Sequence, residues 1–190
     1  DDPHYPKLHY WSGKVWAPVN YLVYQGLKIN EWDHEAHLLA ESSAKMFFKA
    51  WREKAECREN FLATTGEGAS DPHYTWGALM ALIAVEELID INPWHGLRFG
   101  NLEPVEAAGL ERYPVAGALY DVQLSDQGLT VKRDGKPLFA ATVPVEIRQV
   151  QFRGDRVRCE VRAGRPGQLR IGTGEARTFG AGVTRFDGPL

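Results

Sequence analysis

The chain has 190 residues, 44% of them hydrophobic and 25% charged. These are ordinary values for a globular protein of one mid-sized domain or two small ones. A net charge of −3 gives no general pull toward nucleic acid or anionic membrane, and no apolar run approaches the roughly 18 residues of a membrane span. The two cysteines, Cys57 and Cys159, lack metal-ligand spacing. They point to neither a zinc site nor a disulfide framework and leave the compartment open.

Residues 1–16 are rich in proline, histidine and aromatics and read as an irregular loop. The chain has no initiator Met and opens at Asp1-Asp2-Pro3, so a processed chain or a fragment is expected. Val19, Leu22, Val23, Gly26 and Leu27 recur at helical spacing and predict a helix over 18–29, with Pro18 suited to a first turn. A second helix is predicted over 34–54, with Asp33 as N-cap. Ala36, Leu39, Ala40, Ser43, Phe47, Ala50 and Trp51 form its apolar or small stripe. Turn chemistry follows in Thr64-Thr65-Gly66-Glu67-Gly68 and Ser70-Asp71-Pro72.

A third helix is predicted over 76–89. Its stretch 77–85 carries no charge on any face, which implies burial nearly all round inside a larger helical assembly. From about Leu119 the period changes to two. Tyr120, Val122 and Leu124 alternate, and Leu129 and Val131 precede the hairpin signal Asp134-Gly135. Val143, Val145 and Ile147, then Val157, Cys159 and Val161, then Leu169 and Ile171 continue the pattern. The expectation is an antiparallel β module of six or seven short strands. The charge is uneven as well: residues 1–110 hold 9 basic against 16 acidic side chains, and residues 111–190 hold 13 against 9.

Glu59 follows the long helix and precedes the glycine-rich loop. A carboxylate there can act as general base toward water if a second carboxyl lies across the substrate. Alone, such a glutamate is more often merely solvated. Tyr10, Trp11, Trp16, Asn20, Tyr74 and Trp76 sit at segment ends, where aromatic faces suit the C–H faces of sugar rings and an amide suits hydroxyls. Core stacking between helices accounts equally well for each taken singly. The histidines His4, His9 and His73 show no zinc-site pairing, and no metal or cofactor is expected. Gly66-Glu67-Gly68 lacks the lysine and preceding strand of a phosphate loop. Arg148, Arg153, Arg156, Arg158, Arg162 and Arg165 alternate with acids and are best read as a solvated sheet face.

Motif order carries a family resemblance. Tyr10-Trp11-Ser12-Gly13-Lys14-Val15-Trp16 with Asn20-Tyr21, then Glu59-Asn60-Phe61 with Thr65-Gly66-Glu67-Gly68, then Tyr74-Thr75-Trp76-Gly77-Ala78-Leu79 together resemble glycoside hydrolase family 63. The bacterial relatives similar to mannosylglycerate hydrolase and oligosaccharide glucosidase share this order over residues 1–90, and trehalases share a looser version. Ser12, Lys14 and Phe61 stand where the family carries Arg, Pro and Tyr.

The resemblance implies an α+β chain: the C-terminal helices of a six-hairpin α/α toroid over 1–113, followed by a small antiparallel β module over 114–190. It implies an inverting hydrolase of α-linked glucosides, mannosides or related small saccharides. Glu59 falls on the general base, and the general acid falls in a missing N-terminal part of the barrel. The carbohydrate substrate is the implied partner. A non-catalytic carbohydrate-binding protein using the same aromatic platform and a trehalase-like hydrolase are the alternatives.

Overall fold

The computed structural model describes residues 11–103 and 107–190. Tyr10, His4 and His9 lie outside the described residues. The chain divides into two compact units, Asp1–Ala84 and Val85–Leu190.

The first unit opens with strand β1 (Lys14–Trp16) and helix α1 (Ala17–Ile29), which has proline in its first turn. The missing proline N–H costs nothing there, because the first helical N–H groups lack partners in any case. Helix α2 spans Asp33–Lys54, with Asp33 and Glu35 in its first turn and Arg52 and Lys54 in its last. This charge order complements the helix dipole. Ala36, Ala40, Ser43, Phe47 and Ala50 are buried along one stripe, as their spacing predicts.

Trp51 departs from that stripe and is half exposed, stacked on Phe47 at 6.1 Å. Asp33 is not the expected cap. Trp32 holds the N-cap position, and the Asp33 carboxylate accepts from Lys28 Nζ at 3.0 Å. Two small cores result, one of Ala17, Phe47, Ala50, Phe61 and Met80, the other of Tyr24, Ala36, Ala40 and Ile83.

After α2 come β2 (Asn60–Leu62) and β3 (Gly68–Ala69). They join β1 in an antiparallel sheet of order β1-β2-β3. A 3-10 turn, Thr75–Ala78, leads into helix α3 (Leu79–Glu86). The helix predicted over 76–89 is therefore shorter. Met80 and Ile83 are fully buried, whereas Ala78 is exposed and Leu79, Ala81 and Leu82 are half-buried, so burial is not all round. The helix stops because the Glu86 carbonyl accepts from the Arg98 guanidinium at 2.6 Å. The Leu88 carbonyl likewise accepts from Gly100 N–H at 2.9 Å. Residues 88–89 are thereby drawn into a sheet.

The second unit is a β-sandwich. Its strands are β4 (Ile89–Asn92), β5 (Gly96–Phe99), β6 (Ala108–Val115), β7 (Ala118–Ser125), β8 (Gly128–Arg133), β9 (Lys136–Ala141), β10 (Val145–Arg153), β11 (Arg156–Ala163), β12 (Gly167–Ile171), β13 (Arg177–Phe179) and β14 (Gly182–Pro189). One sheet has the order β14-β11-β10-β5-β4 and the other β13-β12-β9-β8-β7-β6. Alternate residues from both point inward and form one core, the arrangement that face-to-face packing of twisted sheets requires. Phe99 of one sheet meets Tyr120 and Phe139 of the other at 5.2 and 6.0 Å.

Asp134 and Gly135, with φ of 51° and 78°, make the expected turn between β8 and β9. Both central residues need positive φ there, which glycine and aspartate tolerate best.

The helical-toroid expectation is overturned. Among the described residues strands predominate and lie in three antiparallel sheets, with three α-helices beside them. Three misread stretches explain this. Residues 1–16 and 55–75 read as irregular, yet short extended pieces within them pair into β1-β2-β3. The residues after α3 carry no strong alternation, yet Ile89–Asn92 and Gly96–Phe99 form a hairpin in register.

The arginines also need correction. Arg153, Arg156, Arg158 and Arg165 are exposed, but Arg162 is buried against Glu146 and Arg148 lies half-buried between Glu146 and Glu160. Carboxylates on the neighbouring strands compensate their charges and permit the burial.

Candidate active site

The site residues of the first unit converge through the small sheet. In the antiparallel pairing of β1 and β2, Trp16 lies opposite Asn60, the residue after Glu59. The strap bearing Glu59 is fixed by its backbone. Glu59 N–H donates to the Asp71 carbonyl at 2.9 Å, Cys57 N–H donates to Pro72, and Tyr74 N–H donates to Cys57 at 2.8 Å. The Trp76 indole N–H donates to the Glu59 carbonyl at 3.2 Å. An aromatic and the carboxylate-bearing residue are therefore held by a direct bond.

Gly77, buried after Trp76, lets this happen. A Cβ there would run into the carbonyl oxygen of Arg58 and lie 3.2 Å from Cys57 Sγ. Only glycine allows so close an approach of two backbones.

Around the strap the rings form a continuous run. Trp11 lies 4.0 Å from Trp16 between ring centres, Trp16 meets Trp76 edge-on at 6.2 Å, and Trp76 meets Tyr74 at 4.6 Å. Trp16 is buried, while Trp11 and Tyr74 at the two ends are exposed. The structure brings together four of the six predicted aromatic and amide residues. Tyr10 lies outside the described residues. Asn20 donates its amide to Ser43 Oγ at 3.0 Å, a bond that ties α1 to α2.

Glu59 itself is half-exposed. Its side chain makes no hydrogen bond or ion pair among the described residues, which leaves both carboxylate oxygens open to water. The neighbouring acids are engaged. Glu56 pairs with Arg58 at 2.7 Å, and the Asp71 carboxylate caps the N–H of His73 at 2.8 Å. Arg58 also donates to the Ser70 carbonyl.

A polar chain runs alongside. Asn60, buried, donates to Ser70 Oγ at 3.0 Å, and Lys14 Nζ reaches the same hydroxyl at 3.3 Å. Sequence reasoning missed this chain. Ser70 was legible as turn chemistry, and the turn was read for its backbone rather than for its hydroxyl.

Thr65-Gly66-Glu67-Gly68 turns between β2 and β3, with Glu67 N–H on Thr65 Oγ1 and Leu62 N–H on the Glu67 carbonyl. The Phe61 ring is fully buried in the core with Ala17, Phe47 and Met80, an apolar setting that offers a phenol nothing.

The half-exposed Glu59 carboxylate thus lies on the strap to which the Trp76 indole is bonded, at the centre of the ring run. Residues 1–77 match the family described as the mannosylglycerate hydrolase MGH1-like glycoside hydrolase domain. The relationship to family 63-like mannosylglycerate hydrolases thus holds for the N-terminal part of the chain. No curated protein and no solved structure matches the chain.

Proposed function

We propose that the first unit supplies the water-activating half of an inverting glycoside hydrolase acting on α-linked glucosides, mannosides or related small saccharides. Glu59 is the general base. Its carboxylate is held by a backbone strap, bears no competing cation among the described residues, and stands beside the Trp11-Trp16-Trp76-Tyr74 ring run. That juxtaposition carries the reading.

Inversion needs a second carboxyl about 6.5–9.5 Å away, with room for water between. Glu56 and Asp71 are committed to Arg58 and to the His73 N–H, so neither suits the acid. The general acid is assigned to a segment outside these 190 residues. In the mechanism, Trp11 and Tyr74 offer ring faces to the sugar. Glu59 takes a proton from water as it attacks the anomeric carbon, while the acid protonates the leaving oxygen.

The 190-residue chain alone is expected to hydrolyse no aryl or disaccharide α-glycoside. In a protein that joins it to the acid-bearing segment, Glu59→Gln should lower kcat by about 10²–10⁴-fold and leave substrate KM nearly unchanged. Steady-state kinetics with both proteins decides the matter. Near-normal turnover by Glu59→Gln removes Glu59 from the chemistry, and hydrolysis by the chain alone removes the external acid.

A further inference from the structure

We propose that the β-sandwich carries a separate binding cleft for acidic carbohydrate, of the uronate class, on the outer face of its five-stranded sheet. The cleft is built at an irregularity. Strand β10 shifts register between Arg148 and Gln151, and Gln149 takes φ of 54°. A β-bulge of this kind bends a strand and re-aims its side chains. Gln149 N–H donates to the His95 carbonyl at 2.8 Å, and its side-chain amide donates to the Trp94 carbonyl at 2.7 Å. These bonds pin the β4–β5 turn to the bulge. Asn92 Oδ1 holds the same turn from inside by accepting from the N–H groups of Trp94 and His95. Trp94 therefore sits on a fixed backbone beside Gln149, and the residue is 55% exposed.

Gln149 also lines an open cleft with Gln151, Arg153, Arg158, Glu160 and Arg185. The cleft has cationic charge to spare. The cross-strand neighbour of Arg158 is Asp187, but that carboxylate is taken by Arg156 Nε at 2.9 Å. On the other side Arg158 faces neutral Gln151. Arg158 has no carboxylate partner among the described residues, and Arg153 bonds only the Gln151 amide oxygen at 3.2 Å. The single acid of the cleft, Glu160, is shared by Arg148 and Arg185.

Planar guanidinium groups match a carboxylate with paired hydrogen bonds, amides match hydroxyls, and an indole face matches a sugar ring. A solvated sheet face needs neither the pinned tryptophan nor the bulge. A ligand with a carboxylate and a pyranose ring uses the guanidinium and amide groups of the cleft and the indole of Trp94, whose carbonyl Gln149 holds at the cleft's edge.

The test is titration calorimetry on the purified 190-residue chain with three probes: tri-galacturonate, the neutral galactose trisaccharide, and a tri-aspartate peptide. Saturable binding of tri-galacturonate is expected, with the other two at least about tenfold weaker. Trp94→Ala and Arg158→Gln should each weaken it about tenfold, and Arg158→Lys less so, because charge survives but the paired geometry does not. Both positions are exposed, and circular dichroism confirms folding of each variant. Glu59→Gln should leave the affinity unchanged, which separates this cleft from the hydrolytic reading. The proposal fails if tri-galacturonate does not bind or the peptide binds as tightly. It fails equally if Trp94→Ala has no effect or Glu59→Gln abolishes binding.

Discussion

Single residues show where this protein hides its charges and thiols. Lys28 and Asp33 are both buried and 3.0 Å apart. Each charge is tolerable only because of its partners. Asp33→Ala removes the carboxylate 3.0 Å from the buried Lys28 ammonium and should destabilise the protein by at most about 3–5 kcal/mol, the cost of breaking a buried pair, seen as a lower denaturant midpoint. Replacing both residues with apolar ones of similar size should recover much of that loss.

Cys159 is the second case. Burial pushes its thiol up from 9.0 to about 12, and nearby Arg177 only partly opposes this. The sign follows from linkage: the unfolded thiol gives up its proton first, so ionisation favours unfolding. The stabilisation is complete below pH 9 and is lost as pH rises toward about 12. Alkylation at pH 8 should modify Cys57, which is half-buried, well before Cys159, and Cys159 should react only on unfolding. Mass spectrometry of the labelled chain reads this directly.

At the scale of elements, the strap and turn around Glu59 depend on one small residue. Gly77→Ala forces a methyl onto the Arg58 carbonyl. Either the strap or the 3-10 turn must shift, which breaks the indole bond from Trp76 to Glu59. A loss of about 1–3 kcal/mol is expected, typical of overpacking, together with a changed Trp fluorescence spectrum.

Elements were unequally legible in the sequence. The stripe of α2 was plain because its spacing matched 3.6 residues per turn over 22 residues, and the Asp134-Gly135 turn announced itself. Strands β1, β2 and β3 have three, three and two residues, too few to display a period. The β4–β5 hairpin was hidden because the β5 segment Leu97, Arg98 and Phe99 is buried without a break. An arginine in that position reads as a surface residue until its carboxylates are located on other strands. Within the site, the motif order singled out Glu59 and the tryptophans. The Ser70 hydroxyl and the engagement of Glu56 and Asp71 come from contacts distant in sequence, which spacing does not carry.

For the whole molecule, the division into units redistributes the charge. Counted over 1–84 there are 8 basic and 11 acidic residues, and over 85–190 there are 14 of each. The contrast seen at residue 110 is thus not a property of the two units. The sandwich is neutral overall, and its acids and arginines are interleaved on one sheet.

Among the described residues its buried core runs from Leu88 onward, with Val85 packed against it. Residues 85–190 expressed alone should therefore give a β-type circular dichroism spectrum and unfold in one cooperative transition. Strand pairs such as β11–β14 and β9–β12 join distant parts of the chain, so refolding should take milliseconds or longer. Stopped-flow refolding of the fragment checks this.

Arg98 links these scales. Its side chain is 1% exposed, with the Glu86 and Gly100 carbonyls and the carboxylates of Asp90 and Glu146 around it. Guanidinium protons on a protein surface normally swap with water too quickly to be followed. Here that swap must wait for the sheet to open. The Arg98 side-chain resonances should therefore persist long after transfer to heavy water, timing the opening of the sandwich from within.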